Sequence, residues 1–290
     1  MLKKRIVAVL LVRNGIVVQS VGFHKYLPVG KPEIAVEHLN KWGVDEIVIL
    51  DISGRNFADA QLEQNITRVA PFCLVPLAVG GGIRTVDHIR QVIKSGADRV
   101  VLNTSIFDNP KLIKQAAERF GTQCIIAAID AAPSDINVYD TFVHGGKKRT
   151  GLSPKDLARR AEDHGAGEIL IQAIHRDGCK MGYDLELIAE VSGAVSVPVI
   201  ALGGVGCPAH MAEAVRVPGI SGLGAGNFFH FTEHTASVTK ALLQRAGVDL
   251  RHDSYADYRD YQFDAQGRLQ KKADKDLEEL LFVHYVDEVI

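Results

Sequence analysis

Three aspartates and a duplicated glycine pattern hold the chemistry open to this chain. Asp130 closes an apolar run that begins near Gln123, Asp51 closes another that begins at Glu46, and Asp177 stands in His175-Arg176-Asp177-Gly178. A carboxylate at the end of a buried strand either moves a proton for a ligand or caps the following loop, and residue type alone leaves both open. Near phosphates its pKa rises, which suits proton transfer. Phosphates are expected because a glycine cluster occurs twice, as Val79-Gly80-Gly81-Gly82 and as Leu202-Gly203-Gly204-Val205-Gly206, each after an apolar run. Glycine lets backbone amides approach an anion. Asn103-Thr104-Ser105 adds side-chain donors to the first cluster, and Gly224-Ala225-Gly226-Asn227 extends the second. Glycines also serve tight strand-to-helix turns, so one cluster alone would say little. Two at related places predict a ligand with two phosphates, held by Gly81, Gly82, Asn103 and Thr104 at one end and by Gly203, Gly204, Gly226 and Asn227 at the other. Asp130 and Asp51 lie between, and Asp177-Gly178 shares the same face.

The elements that position these residues repeat as well. The shift that carries Gly80 onto Gly203 brings Glu46-Ile47-Val48 within a residue of Glu168-Ile169-Leu170, and Arg99-Val100-Val101 within a residue of Ser221-Gly222-Leu223. The chain reads as two fused halves. Apolar, β-rich runs at Arg5–Val12, Glu46–Ile52, Leu74–Val79, Arg99–Asn103, Gln123–Asp130, Glu168–Ala173, Val197–Leu202 and Gly219–Ala225 alternate with helical patterns such as Thr85–Ile93. Near-continuous hydrophobicity marks strands covered on both faces, and Ser153-Pro154 supplies a helix cap and a first-turn proline. Eight such units form a closed (β/α)8 TIM barrel or a long doubly wound sheet; two equal four-unit halves complete a ring, so the α/β barrel is the predicted fold. Ligands in that fold bind where the strands end. At the starts of the first, second, fourth and sixth strands stand Arg5, Glu46, Arg99 and Glu168, a balanced set that predicts an inter-strand ion-pair ring across the barrel floor. Such a ring can also gate, since ion pairs part more readily than packed leucines. The barrel is assigned to residues 1–250, and 251–290 to a C-terminal extension whose segment Leu277–Val289 is expected to pack as a helix or strand on the barrel or a partner.

Composition narrows the partners. A chain of 290 residues with 47% hydrophobic and 23% charged residues has the make-up of an ordinary soluble globular protein. Its net charge of −2 removes the electrostatic case for nucleic acid or a membrane surface and points to small anionic ligands. Cys73, Cys124, Cys179 and Cys207 lack metal-ligand spacing and read as buried free thiols; neither metal nor cofactor is expected. Met1–Arg5 has the charge order of a signal peptide, but the apolar run stops at Arg13-Asn14-Gly15 without a cleavage pattern. No other stretch reaches the roughly 20 residues of a spanning helix. A cytoplasmic location is expected.

Taken together, these residues resemble the cyclase-subunit family of imidazole glycerol phosphate synthase (HisF-like), over Met1 to about Leu250. The matching stretches include Val79–Arg84, Asn103-Thr104, Ala128–Asp130, His144–Gly146, Arg176–Gly178, Gly182–Asp184, Pro198–Ala201 and Phe229-His230. The resemblance implies a lyase and cyclase barrel in which Asp130 is catalytic. It also implies that the barrel receives ammonia from a glutaminase subunit docked beneath the strand starts and uses it on a bisphosphorylated ribonucleotide. Arg5, Glu46, Arg99 and Glu168 correspond to the family's ammonia gate, with Arg99 where lysine is usual.

The departure is in the first strand. The family reads Cys-Leu-Asp-Val where this chain reads Val9-Leu10-Leu11-Val12, so Leu11 stands in place of the aspartate that acts with the Asp130 equivalent. The half-repeat makes the same point, because it aligns Leu11 with Asp130. Losing an acid-base group costs about 10² to 10⁴ in rate. Gln19 replaces a substrate-binding lysine, and Gln172 and Leu202 replace hydroxyl residues. The resulting expectation is an ammonia-receiving subunit with diverged cyclase chemistry, of the branch that accompanies amidation of surface-polysaccharide sugars. The alternatives are a true cyclase of histidine biosynthesis, with Asp130 carrying both proton steps or Asp51 or Asp177 substituting for the missing aspartate, and a non-catalytic activator of a glutaminase.

Overall fold

The computed structural model describes residues 3–54, 61–135, 138–230 and 234–251, with 262–264, 270, 273 and 275 beyond them. Its strands, in chain order, are β1 (Arg5–Arg13), β2 (Ile16–Val21), β3 (Lys25–Gly30), β4 (Glu46–Asp51), β5 (Leu77–Gly80), β6 (Arg99–Leu102), β7 (Ile125–Pro133), β8 (Tyr139–Val143), β9 (Lys148–Arg149), β10 (Glu168–Ala173), β11 (Val199–Leu202) and β12 (Ile220–Ala225). Eight of them, β1, β4, β5, β6, β7, β10, β11 and β12, pair in parallel, each with the next, and β12 returns to β1 through Arg5↔Gly222. This is the predicted closed (β/α)8 barrel. Closure satisfies the backbone of every barrel strand on both sides and leaves no sheet edge among the eight.

Helices cover the outside and start where their sequences supply caps. The Thr85 hydroxyl accepts from the His88 N–H ahead of Val86–Lys94, and the Ser153 hydroxyl accepts from Asp156 ahead of Pro154–Asp163. The helix Thr235–Arg245 ties the end of the barrel back to its beginning. Its buried Lys240 donates to Asp45 at 2.6 Å, and Asp45 also accepts the Ile6 N–H. Leu250 then pairs with Lys4, the place where the predicted extension begins. The segment Leu277–Val289 lies outside the described residues. No helix among the described residues is long and apolar enough to cross a membrane.

Alternation along the strands separates two cores. Val7, Val9, Val48, Ala78, Val101, Ile126, Ala128, Leu170, Ile200 and Leu202 fill the barrel interior, while the residues between them, such as Ile47, Ile49, Ile169 and Ile171, pack outward against the helices. In β4 the inward phase is Glu46, Val48 and Leu50, and in β10 it is Glu168, Leu170 and Gln172. One phase therefore carries floor charge, apolar filling and mouth residue in turn.

The register also makes the two-fold repeat explicit. Val7 pairs with Glu46 in one half and Ile126 with Glu168 in the other; four residues on, Leu11 pairs with Leu50 and Asp130 with Gln172. Both leading strands, β1 and β7, run past the barrel into antiparallel hairpins, β2–β3 and β8–β9, which the sequence reading did not anticipate. Asn14 and Gly15, both at positive φ, make the turn of the first, which is where the apolar run of β1 stops. The thiols also require correction. Cys179 is exposed and Cys73, Cys124 and Cys207 are half-buried, because they sit at strand starts, turns and caps instead of on core-facing strand positions.

Candidate functional site

Asp130 lies in the inward phase of β7, two residues beyond Ala128, at the mouth where the strands end. It is 8% exposed, and Asn103 at the end of β6 donates its amide to Asp130 Oδ2 at 3.2 Å and to the Ala128 carbonyl at 3.0 Å. Burial pushes the Asp130 carboxyl up to about 7, against the pull of the Asn103 hydrogen bond and with help from Asp177. Such a group exchanges a proton readily at neutral pH. Its two-fold counterpart is Leu11, which has nothing to exchange.

The second predicted cradle and Asp177 share one cavity. Gly178, Gly203, Gly204, Gly226, Asn227, Asp177, Gln172, Lys180 and His230 form its polar and backbone lining, and Val9, Leu11, Val18, Leu202, Val205 and Ala225 its apolar wall; the space amounts to about 530 Å³, part of it open to solvent. Glycine is required here by close approach. A Cβ on Gly203 would meet the Ala173 carbonyl at 2.8 Å, and one on Gly204 the Gly182 carbonyl at 2.1 Å, both at positive φ. Burial lowers the His230 imidazole to about 4, so it is neutral at pH 7. Lys180 and His230 were not among the candidates from sequence; only the folded loops bring them beside the glycines.

The first cradle lies halfway round the ring, at the ends of β5 and β6, as the repeat requires. A Cβ on Gly81 would sit 2.6 Å from the Asp51 carbonyl, so this glycine is fixed by packing on β4. Gly82, also at positive φ, continues the turn. Asp51 follows the inward Leu50 by one residue and accepts the Ser53 N–H at 2.8 Å: it caps its own loop, the second of the two roles open to it. Thr104 does not present its hydroxyl freely either, since it accepts the His144 N–H at 3.1 Å.

Two carboxylates on the loop after β10 hold the two hairpins against the mouth. Asp177 Oδ2 accepts from the Ser20 hydroxyl at 2.6 Å and the Phe23 N–H at 3.1 Å, and its carbonyl accepts the Gly22 N–H. Asn227 grips the same residue, accepting the Ser20 N–H and donating to the Ser20 carbonyl at 2.6 Å. Asp184 accepts from Tyr139 on β8 at 2.9 Å and from Leu187 as a helix cap, and it pairs with His175 at 2.9 Å. Asp177 and Asn227, expected to contact ligand, thus spend these bonds on β2–β3. Ser20, Tyr139 and Asp184 were missed as a group because their partners are remote in sequence.

At the opposite end the four strand-start residues form one closed ring. Arg5 donates to Glu46 at 2.6 Å and to Glu168, while Arg99 donates to Glu46 at 2.9 Å and Glu168 at 2.5 Å. Each charge touches the two of opposite sign. Ser221 bonds with Arg5 and Glu168, and Arg99 Nε also reaches the Gln123 carbonyl. Glu46 and Glu168 are buried, and burial raises the Glu46 carboxyl against the pull of Arg5 and Arg99. Between ring and mouth lies the apolar interior, which includes the small side chains of Ala78 and Ala128.

Comparison with known proteins agrees with this architecture. The family model described as "Histidine biosynthesis protein" matches residues 5–235. A Vibrio vulnificus (strain YJ016) protein named "Putative imidazole glycerol phosphate synthase subunit hisF2" is 40% identical over 269 residues, covering 92% of this chain and 98% of that protein. The chain is thus a HisF-like member of the histidine biosynthesis protein family.

Proposed function

We propose that this chain is a synthase subunit that takes ammonia from a glutaminase docked over the strand starts. It passes the ammonia through the Arg5–Glu46–Arg99–Glu168 ring and the apolar barrel to an acceptor at the mouth, without carrying out the family's cyclisation. The observation that carries this reading is the two-fold pair Leu11 and Asp130: one carboxylate remains where proton transfer on two sides of a ligand would call for two. The ring supports the ammonia half of the reading. Its four ion pairs close the floor, and side-chain motion would part them to admit a small neutral molecule to the apolar interior above. In this reading the acceptor is a phosphorylated precursor of a surface-polysaccharide sugar, which is amidated.

A rescue experiment tests the loss of cyclisation. Co-expressed with a glutaminase partner, the chain should fail to restore growth without histidine to a strain lacking its cyclase subunit; robust rescue would overturn this reading. A coupling experiment tests the ammonia route. Arg99→Ala should lower product amination from glutamine while leaving glutamine hydrolysis by the bound glutaminase largely unchanged. Unchanged coupling would favour a subunit that only positions or activates the glutaminase.

A further inference from the structure

The mouth cavity differs on its two sides. Its backbone side is Gly178, Gly203, Gly204 and Gly226, with Lys180 at the rim, a surface of amides and one cation suited to an anionic head group. Facing it is the apolar wall, to which Leu11 comes from β1, Val18 from its partner strand β2 and Leu202 from β11. Of the polar side chains in the same lining, Asn227 and the Oδ2 oxygen of Asp177 are engaged with Ser20 and Phe23, and His230 is neutral at pH 7. Gln172 stands apart from these. It is 5% exposed, in the inward phase of β10, and its amide makes no hydrogen bond among the described residues, so it is left to meet a ligand. A hydroxyl laid against Leu11 or Leu202 would lose its water without gaining a partner.

We propose that the mouth selects a phosphorylated ligand whose carbon skeleton next to the phosphate is deoxygenated, with the phosphate on the Gly203-Gly204-Gly226 amides and Lys180, the skeleton on Leu11, Val18 and Leu202, and a polar contact to Gln172. This inference rests on the proposed reading that the mouth holds an anionic acceptor, and it names the acceptor's chemical class. A skeleton rich in hydroxyls beside its phosphate is disfavoured by the same wall.

Propyl phosphate and glycerol 3-phosphate share a phosphate and a three-carbon chain and differ by two hydroxyls, so ligand-detected NMR titration of the full chain with each isolates the wall. Propyl phosphate is expected to bind at least about tenfold more tightly, with inorganic phosphate the weakest of the three. Leu11→Asn should narrow the preference for propyl phosphate about threefold or more by offering the hydroxyls a partner, and Leu202→Ser should act in the same direction; a thermal melt of each establishes that it folds. Equal or tighter binding of glycerol 3-phosphate by the unaltered chain overturns the inference, as does the absence of saturable binding by all three. Either result leaves the ammonia route to the rescue and coupling experiments, whose outcomes do not depend on this preference.

Discussion

Leu11 and Asp130 occupy equivalent places in the two halves of the barrel, four residues beyond Val7 and Ile126, which pair with the glutamates of the floor ring. Below them the two glutamates match. Glu46 and Glu168 each bind both arginines. At the mouth they part: one half presents Leu11 beside Leu50, and the other Asp130 beside Gln172. The backbone frame and the two floor glutamates keep the two-fold repeat, although Ser221 stands where the repeat would place a second Arg99, while the mouth abandons it. Strand register is fixed by backbone pairing along the whole strand, whereas a side chain at the strand end can change its chemistry without disturbing that pairing. The hairpins follow the same pattern, both present, yet clasped by different sets of groups.

The floor should break most expensively. Glu46→Ala and Glu168→Ala each leave two arginines short of an acceptor, and each should cost about 3 kcal/mol in urea denaturation. The two losses should be nearly equal; a near-neutral Glu46→Ala beside a costly Glu168→Ala would end the equivalence of the two glutamates.

The mouth pair should separate by pH. Asp130 is raised to about 7 in the folded chain against an ordinary 3.8, so the unfolded chain gives up its proton first and stability falls as pH rises between those values. Asp130→Asn should therefore be more stable than the parent by about 2 to 4 kcal/mol at pH 8 and close to it at pH 4. Leu11→Asn, at the equivalent place, should show no such pH-dependent difference from the parent. Chemical denaturation across that range checks both.

The clasps should separate the hairpins. Asp177→Asn should weaken the hold on Ser20 and Phe23 by about 1 to 2 kcal/mol and speed amide exchange in Ile16–Gly30, leaving Tyr139–Arg149 unchanged. Asp184→Asn should do the reverse. Smallest of all, Ser20→Ala removes one hydroxyl bond and should cost about 1 kcal/mol, confined to the first hairpin in the same exchange experiment.

Much of this was legible in the residues. The eight barrel strands were found in order, because buried parallel strands are continuous apolar runs, and Thr85 and Ser153 announced their helices by cap chemistry. The ring was legible from charge at four strand starts, and Asp130 from a carboxylate at a strand end. The hairpins were not, since Ile16–Val21 and Lys25–Gly30 are short and half-exposed and carry little periodicity. Asp51 and Thr104 were assigned to ligand, yet they bind backbone N–H groups. A polar residue at a strand end has both options, and loop geometry chooses between them.

By itself the sequence determined what alternates and what repeats: the barrel, its two halves, the place of Asp130 and the leucine opposite. Local pattern suffices for these because backbone periodicity and apolar burial act residue by residue. Only the tertiary structure decided which polar groups serve the fold and which are left to meet a ligand. Ser20 meets Asp177 and Tyr139 meets Asp184 across long stretches of chain, and that pairing exists only once the barrel has closed and brought every strand end to one face.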